Sequence, residues 1–284
     1  MARHPLGVSS FLLASPFSDD DDAEYDRVAA WGFDVIEACV EDPGVLHADS
    51  IAEAATRNGL AVSICGVYGS DRDASSDDPA IRANYLAYQR HCIDLAQAVG
   101  SPHVAGPMYS AVGKARMLAP EERRAERRRA AESIRAAADY AGERGVRLAI
   151  EPLNRFENDM INIVDQGLEL IELVDRPNVG LMLDTFHMNI EEQDPGDAIR
   201  RAGERTFHVQ VSENHRGTPG TGSIDWPRIW QALDDIGYDG SVVIESFLPE
   251  VVEIAKAVSL WRPWAPSAES LITGGLAFLK AQLR

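Results

Sequence analysis

The sequence predicts an α/β fold, a single (β/α)8 TIM barrel with an extra C-terminal helix, with residues 1–284 forming one domain. Three observations predict it. Eight apolar runs of strand length recur along the chain. Stretches with helical patterning separate them, and that alternation argues for a parallel sheet. No linker rich in Pro, Gly or Ser interrupts the series, and neither G-x-G-x-x-G nor a P-loop follows the first run, as a doubly wound open sheet would need.

Taken in order, the first strand is read over Leu6–Leu12. The acidic run Asp19–Asp22 follows Ser18 and precedes a helix over Ala23–Trp31. It caps that helix and complements its dipole, and no EF-hand spacing follows that would make it a calcium site. Val35–Val40 and Ala61–Val67 are the next two strands, followed by helices over Ile51–Asn58 and Pro79–Val99. His103–Pro107 leads to a helix over Pro120–Arg144. Within it, RRAERRR at Arg123–Arg129 has Glu121, Glu122 and Glu126 interleaved, which reads as a solvated face with i,i+4 pairs. The strands Arg147–Pro152, Val179–Asp184 and Thr206–Ser212 precede helices over Val164–Leu173, Asp197–Ala202 and Trp226–Ile236. Ser241–Phe247 is the eighth strand, and Ser267–Gln282 is the added helix.

Composition narrows the function. A formal charge of −18 repels phosphate backbones, so no nucleic-acid partner is expected, and strongly anionic substrates are disfavoured. No run reaches the length of a membrane span, and MARHPLGVSSFLLASP lacks a signal-peptide layout. Cys39, Cys65 and Cys92 form no metal-type spacing and read as reduced, buried cysteines of a cytoplasmic protein. None of Lys114, Lys256 and Lys280 ends an apolar strand, which argues against Schiff-base chemistry.

In such a barrel the site lies at the C-terminal ends of the strands. Glu151 follows Leu148–Ile150, Asp184 ends VGLMLD, and Glu245 follows VVI. Gln210 lies late in the seventh strand, sharing a face with His208 while Phe207, Val209 and Val211 take the other. Carboxylates crowded in a partly dry mouth need a compensating cation, and oxygen donors favour a hard one, Mg²⁺ or Mn²⁺. Gln210 then reads as a neutral fourth ligand, or as a buried amide bonded to backbone. Asp184 alone could instead cap the next helix. His208 reads as a core residue one layer below, or as the ligand in place of Gln210.

At these residues the chain resembles the sugar isomerase/epimerase superfamily of metal-dependent barrels, and within it the D-tagatose/D-psicose 3-epimerases. EPLNRFE at 151–157, LDTFHMNIEE at 183–192, SENHRGTPGTG at 212–222 and the Glu of VVIESF carry the resemblance. VAGPMYS at 104–110 and SLWRPWAPSAESL at 259–271 match more loosely.

The resemblance implies that Glu151 and Glu245 are metal-binding catalytic acid/bases and Asp184 a metal ligand. It implies that Glu157, His187 and Arg216 hold substrate oxygens. Gln210 departs from it, because the epimerases place a metal-binding His there and hydroxypyruvate isomerases a Gln. The implied function is a ketose 3-epimerase acting on unphosphorylated ketoses through an enediolate, with one divalent cation, Mn²⁺ or Mg²⁺ (Co²⁺ also suits). A hydroxypyruvate-type aldose–ketose isomerase and a C-glycoside-cleaving enzyme are the alternatives on the same residues. A nuclease of the superfamily would need more His ligands and a basic face. A small-molecule sugar, a homodimer or homotetramer and no membrane are the expected partners. Gly217, Gly220 and Gly222 fit a tight loop that brings Arg216 over the site, and Trp261–Trp264 read as either an apolar wall or a subunit contact.

Overall fold

Eight parallel strands close into a barrel in chain order, each hydrogen-bonded to the next and the last to the first. They are β1 Leu6–Ser9, β2 Val35–Val40, β3 Ala61–Gly66, β4 His103–Gly106, β5 Arg147–Ile150, β6 Val179–Asp184, β7 Thr206–Val211 and β8 Val242–Ile244. The computed structural model describes residues 4–247, 249 and 252–283. Almost every strand residue is buried, because helices cover the barrel outside and side chains fill it inside.

The outer layer comprises α1 Asp22–Trp31, α2 Ala48–Asn58, α3 Pro79–Val99, α4 Pro120–Gly142, α5 Val164–Val174, α6 Thr185–Glu191, α7 Pro195–Ala202, α8 Trp226–Asp235, α9 Val252–Ala257 and α10 Ala268–Gln282. The short α6 and α9 are absent from the sequence reading. The C-terminal helix α10 is the extra element, and Gly275 on it has no room for a side chain beside Ile244. No helix among the described residues is long and apolar enough to cross a membrane.

Three local expectations change. The first strand stops at Ser9, because Leu13 N–H bonds back to Ser10 O at 2.8 Å and closes a 3-10 turn over Ser10–Leu12. The arginines of α4 do not form pairs within their helix. Arg123, Arg127 and Arg129 instead bond the backbone oxygens of Asp159, Met160 and Ser75, while Glu126 is buried against Lys114 and Arg116. Phe207 does not face the helices. The β6–β7 register shifts between Leu181 and Met182, and Phe207 packs with Ala105, Ala149 and Met182. Alternation puts Ala149 on the face of Glu151 and Met182 on that of Asp184, so this cluster fills the barrel interior. Asp19–Asp22 does cap α1 as expected: Asp19–Asp21 form a 3-10 turn closed by Ser18 and Asp21, and α1 follows.

Candidate active site

The strands deliver the acids to one end of the barrel. Glu151 follows β5, Asp184 ends β6, Gln210 lies late in β7 and Glu245 follows β8. All are buried, with Asp184 1% and Gln210 0% exposed. Gln210 is the direct register partner of Asp184, whereas His208 pairs with Met182, one layer deeper. A cavity of about 280 Å³ opens at this end. Glu151, Glu157, His187, Arg216 and Glu245 form its polar side, and Phe11, Val67, Leu153, Phe247 and Ile254 its apolar side.

Ligand atoms of Glu151, Asp184 and His187 lie within 4.8 Å of one another, a buried group able to hold a divalent cation. The hydrogen bonds of His187 define its part. The backbone N–H of Asn154 donates to its Nδ1 at 3.1 Å, so the neutral ring carries its proton on Nε2. That nitrogen faces Glu151 Oε1 at 3.4 Å, on the cavity side of the ring. Asn154 also donates to Glu157 Oε1 at 2.7 Å, tying the cavity's second acid to the same motif.

Asp184 is both a cap and a site residue. Its Oδ1 accepts from the N–H groups of Phe186 at 2.6 Å and His187 at 3.3 Å, starting α6, while Oδ2 accepts from Arg216 Nη1 at 2.6 Å. Arg216 Nη2 donates to Glu245 Oε2, so one guanidinium bridges two acids from the strands on either side of β7. Its carbon lies 4.8 Å from the Phe186 ring centre and 5.1 Å from that of Phe247. The backbone of Arg216 has φ +64, a left-handed residue that turns the loop back over the site. Glu213 holds that loop. Its carboxylate accepts from the N–H groups of Gly220 and Ile224 and from Trp226 Nε1 at 2.8–3.1 Å.

Burial pushes the Glu151 carboxyl above its usual range, with His187 offsetting part of the effect. It pushes Glu245 well up, and Glu151 and Asp184 add to the shift against the pull of Arg216. Burial acts upward on Asp184 too, but Arg216 and His187 outweigh it and hold that carboxyl low. For His187, burial favours the neutral ring, while Glu157, Glu151 and Asp184 outweigh it and raise the pKa. Two carboxyls with raised pKa in one cleft are candidate acid/bases.

Gln210 meets the requirement for a neutral ligand. Its Nε2 donates to Glu37 Oε1 at 2.5 Å, and its wholly buried Oε1 has no hydrogen-bond partner. A partnerless amide oxygen on the register partner of Asp184 is a neutral oxygen donor of the kind that suits Mg²⁺ or Mn²⁺. His208 Nε2 is engaged by Glu37 Oε2 at 2.6 Å. Glu37 and Asn154 are absent from the sequence reading of the site. The signal for Glu37 is an acid inside the apolar run VIEACV, in step with inward-facing positions. The aromatic pair takes no part in the cavity lining: Trp264 stacks 6.3 Å from His215, and Trp261 is 76% exposed. Cys39, Cys65 and Cys92 are buried and unbridged.

With this geometry in hand, comparison with known proteins gives a consistent picture. Residues 25–281 match the family described as xylose isomerase-like TIM barrels. An L-ribulose 3-epimerase of Mesorhizobium japonicum is 36% identical over 272 residues, 93% of this chain and 89% of that one. A ketose 3-epimerase of Arthrobacter globiformis is 34% identical over 254 residues, 89% of this chain and 87% of that one. The solved structure of an L-ribulose 3-epimerase superposes with a TM-score of 0.92 at 34% identity, covering 99% of this chain and 94% of that chain.

Proposed function

We propose, from the premise that this chain belongs to the xylose isomerase-like TIM barrels and to their ketose 3-epimerase family, that it is an enzyme epimerising unphosphorylated ketoses at C3 with one divalent cation, Mn²⁺ or Mg²⁺. One observation carries the reading. Glu151 and Glu245 are two buried carboxyls that line one cavity from the ends of β5 and β8.

Glu151, Asp184, Gln210 and Glu245 would hold the cation. When bound, it supplies Lewis-acid stabilisation of charge on the substrate's oxygens. Of the two carboxylates, one removes the C3 proton and the other returns a proton to the opposite face, which inverts the carbon. His187 and Arg216 donate to oxygens on which charge develops, and Glu157 accepts from a substrate hydroxyl. The apolar side of the cavity keeps water from the acids, which strengthens them as bases.

The same reading takes residues 1–284 as one catalytic domain. It expects a cytoplasmic homodimer or homotetramer, with the exposed Trp261 as a candidate contact. One observation favours a second reading, the aldose–ketose isomerase: Gln210 stands where the resembled epimerases have His.

Turnover in D₂O separates the two. Deuterium at C3 of the recovered ketose, lost in both Glu151→Gln and Glu245→Gln, is the expected result by NMR. Label confined to C1 or C2, with an aldose accumulating, refutes the epimerase reading.

A further inference from the structure

Beneath the acids lies a buried polar layer that crosses the barrel interior. Glu37 on β2 is 0% exposed and gathers three donors from other strands. Ser63 Oγ donates to its Oε2 at 3.0 Å, His208 Nε2 to the same oxygen at 2.6 Å and Gln210 Nε2 to Oε1 at 2.5 Å. Ser63 has one proton, given to Glu37, so its oxygen accepts from His103 Nε2 at 3.1 Å. The donors of Ser63, His208 and Gln210 therefore converge on one carboxylate, with His103 behind Ser63.

The chemistry of this contact fixes which end of the Gln210 amide is oxygen. A carboxylate has only acceptors to offer. Gln210 must turn its NH₂ down to Glu37, and its oxygen is left facing away, buried and without a partner. The same contact accounts for the residue type. A Glu at this position would set two carboxylates against each other.

We infer that Glu37 is a positioning residue for the cation: by fixing the amide of Gln210 from below, it presents the oxygen rather than the nitrogen to the metal. A charged acceptor also polarises the amide and makes its oxygen a better donor. The inference rests on Gln210 being a ligand.

The test measures Mn²⁺ binding to metal-stripped protein from the electron paramagnetic resonance signal of free Mn²⁺. Thermal unfolding of the stripped variants checks folding. Gln210→Leu should weaken binding, and Glu37→Gln should weaken it by about 10–100-fold. In a Gln210→Leu background, Glu37→Gln should change affinity by less than about threefold, because its route to the metal is gone. Parental affinity in Glu37→Gln, with loss in Gln210→Leu, overturns the role of Glu37 alone. Equal losses in both backgrounds overturn it too, since Glu37 would then act by charge and not through Gln210. Parental affinity in Gln210→Leu overturns the ligand reading itself. If Glu37→Gln does not fold, Glu37→Asp carries the test: it keeps the charge but draws it back from the amide, so weakened binding is expected and parental affinity refutes the inference.

Discussion

Replacing Arg216 by Met removes a positive charge from a buried cluster while keeping most of the side-chain volume. The guanidinium is 5% exposed, binds Asp184 at 2.6 Å and Glu245 directly, and lies between the Phe186 and Phe247 rings. At an effective dielectric of about 20, each charge pair is worth about 4 kcal/mol at 4 Å, and the dehydration of the guanidinium offsets part of that. Losing one partner from a buried pair costs about 3–5 kcal/mol net, because uncompensated acids stay behind. For a chain of this size that is a fall of about 6–20 °C in the unfolding midpoint.

Scanning calorimetry in EDTA at neutral pH measures it. Arg216 holds the Asp184 carboxyl low, so this part of the stability is present above the unfolded Asp pKa and lost as pH falls through the lower folded value. The deficit of Arg216→Met is therefore largest at neutral pH and shrinks in acid. Mn²⁺ should raise the variant's midpoint more than the parent's, since a cation can take over the lost compensation. A metal-free variant that melts within about 2 °C of the parent, or above it, refutes the view that Arg216 compensates these acids.

Gln210→His should keep the fold and the metal while moving the affinity ratio from Mg²⁺ or Mn²⁺ towards Co²⁺ or Zn²⁺, which imidazole suits, as measured by competition binding. A folded variant that retains no metal counts against residue 210 as a ligand. Lys114 Nζ joins Asp73 at 2.8 Å to Glu126 at 2.7 Å, and burial acts upward on the Asp73 carboxyl while Lys114 and Ser75 hold it low. Asp73→Asn should lose about 2 kcal/mol at pH 7 in urea unfolding, with the difference fading in acid as pH falls below the ordinary Asp range and the native carboxylate, held low, takes a proton. An equal difference at pH 7 and in acid would show that the charge is not the cause.

How far the sequence reaches follows from what each residue costs. Glu151, Asp184 and Glu245 stand out because an acid ending an apolar run is expensive to bury without a partner, and the structure does bury all three. Glu37 pays the same cost in the middle of a strand, where an acid inside VIEACV marks it as unusual, but its partners Ser63, His208 and Gln210 come from strands far away in sequence, so its role is not legible locally. Strand alternation fails at Phe207 because a one-residue register shift moves a side chain to the other face, and the shift is set by pairing with β6. The arginines of α4 show the same limit. Spacing within a helix identifies possible partners inside it, whereas these side chains reach carbonyls on adjoining loops.

On the proposed reading, charge balance unifies the site. Glu151, Asp184 and Glu245 bring up to three negative charges into a buried cluster. Arg216 supplies one positive charge and a divalent cation two, enough to compensate these acids, of which the one that returns a proton is itself neutral. Gln210 adds a donor without adding charge, and Glu37 below it has its own donors from Ser63 and His208. A proton moving from substrate to one catalytic acid, while the other gives one up, leaves this balance unchanged. A neutral ketose enters without disturbing it. A phosphate ester would bring further negative charge to a cavity whose cationic lining residue, Arg216, is already shared by two acids, within a chain of formal charge −18. The compensation that lets three acids share the barrel mouth thus also favours an unphosphorylated sugar.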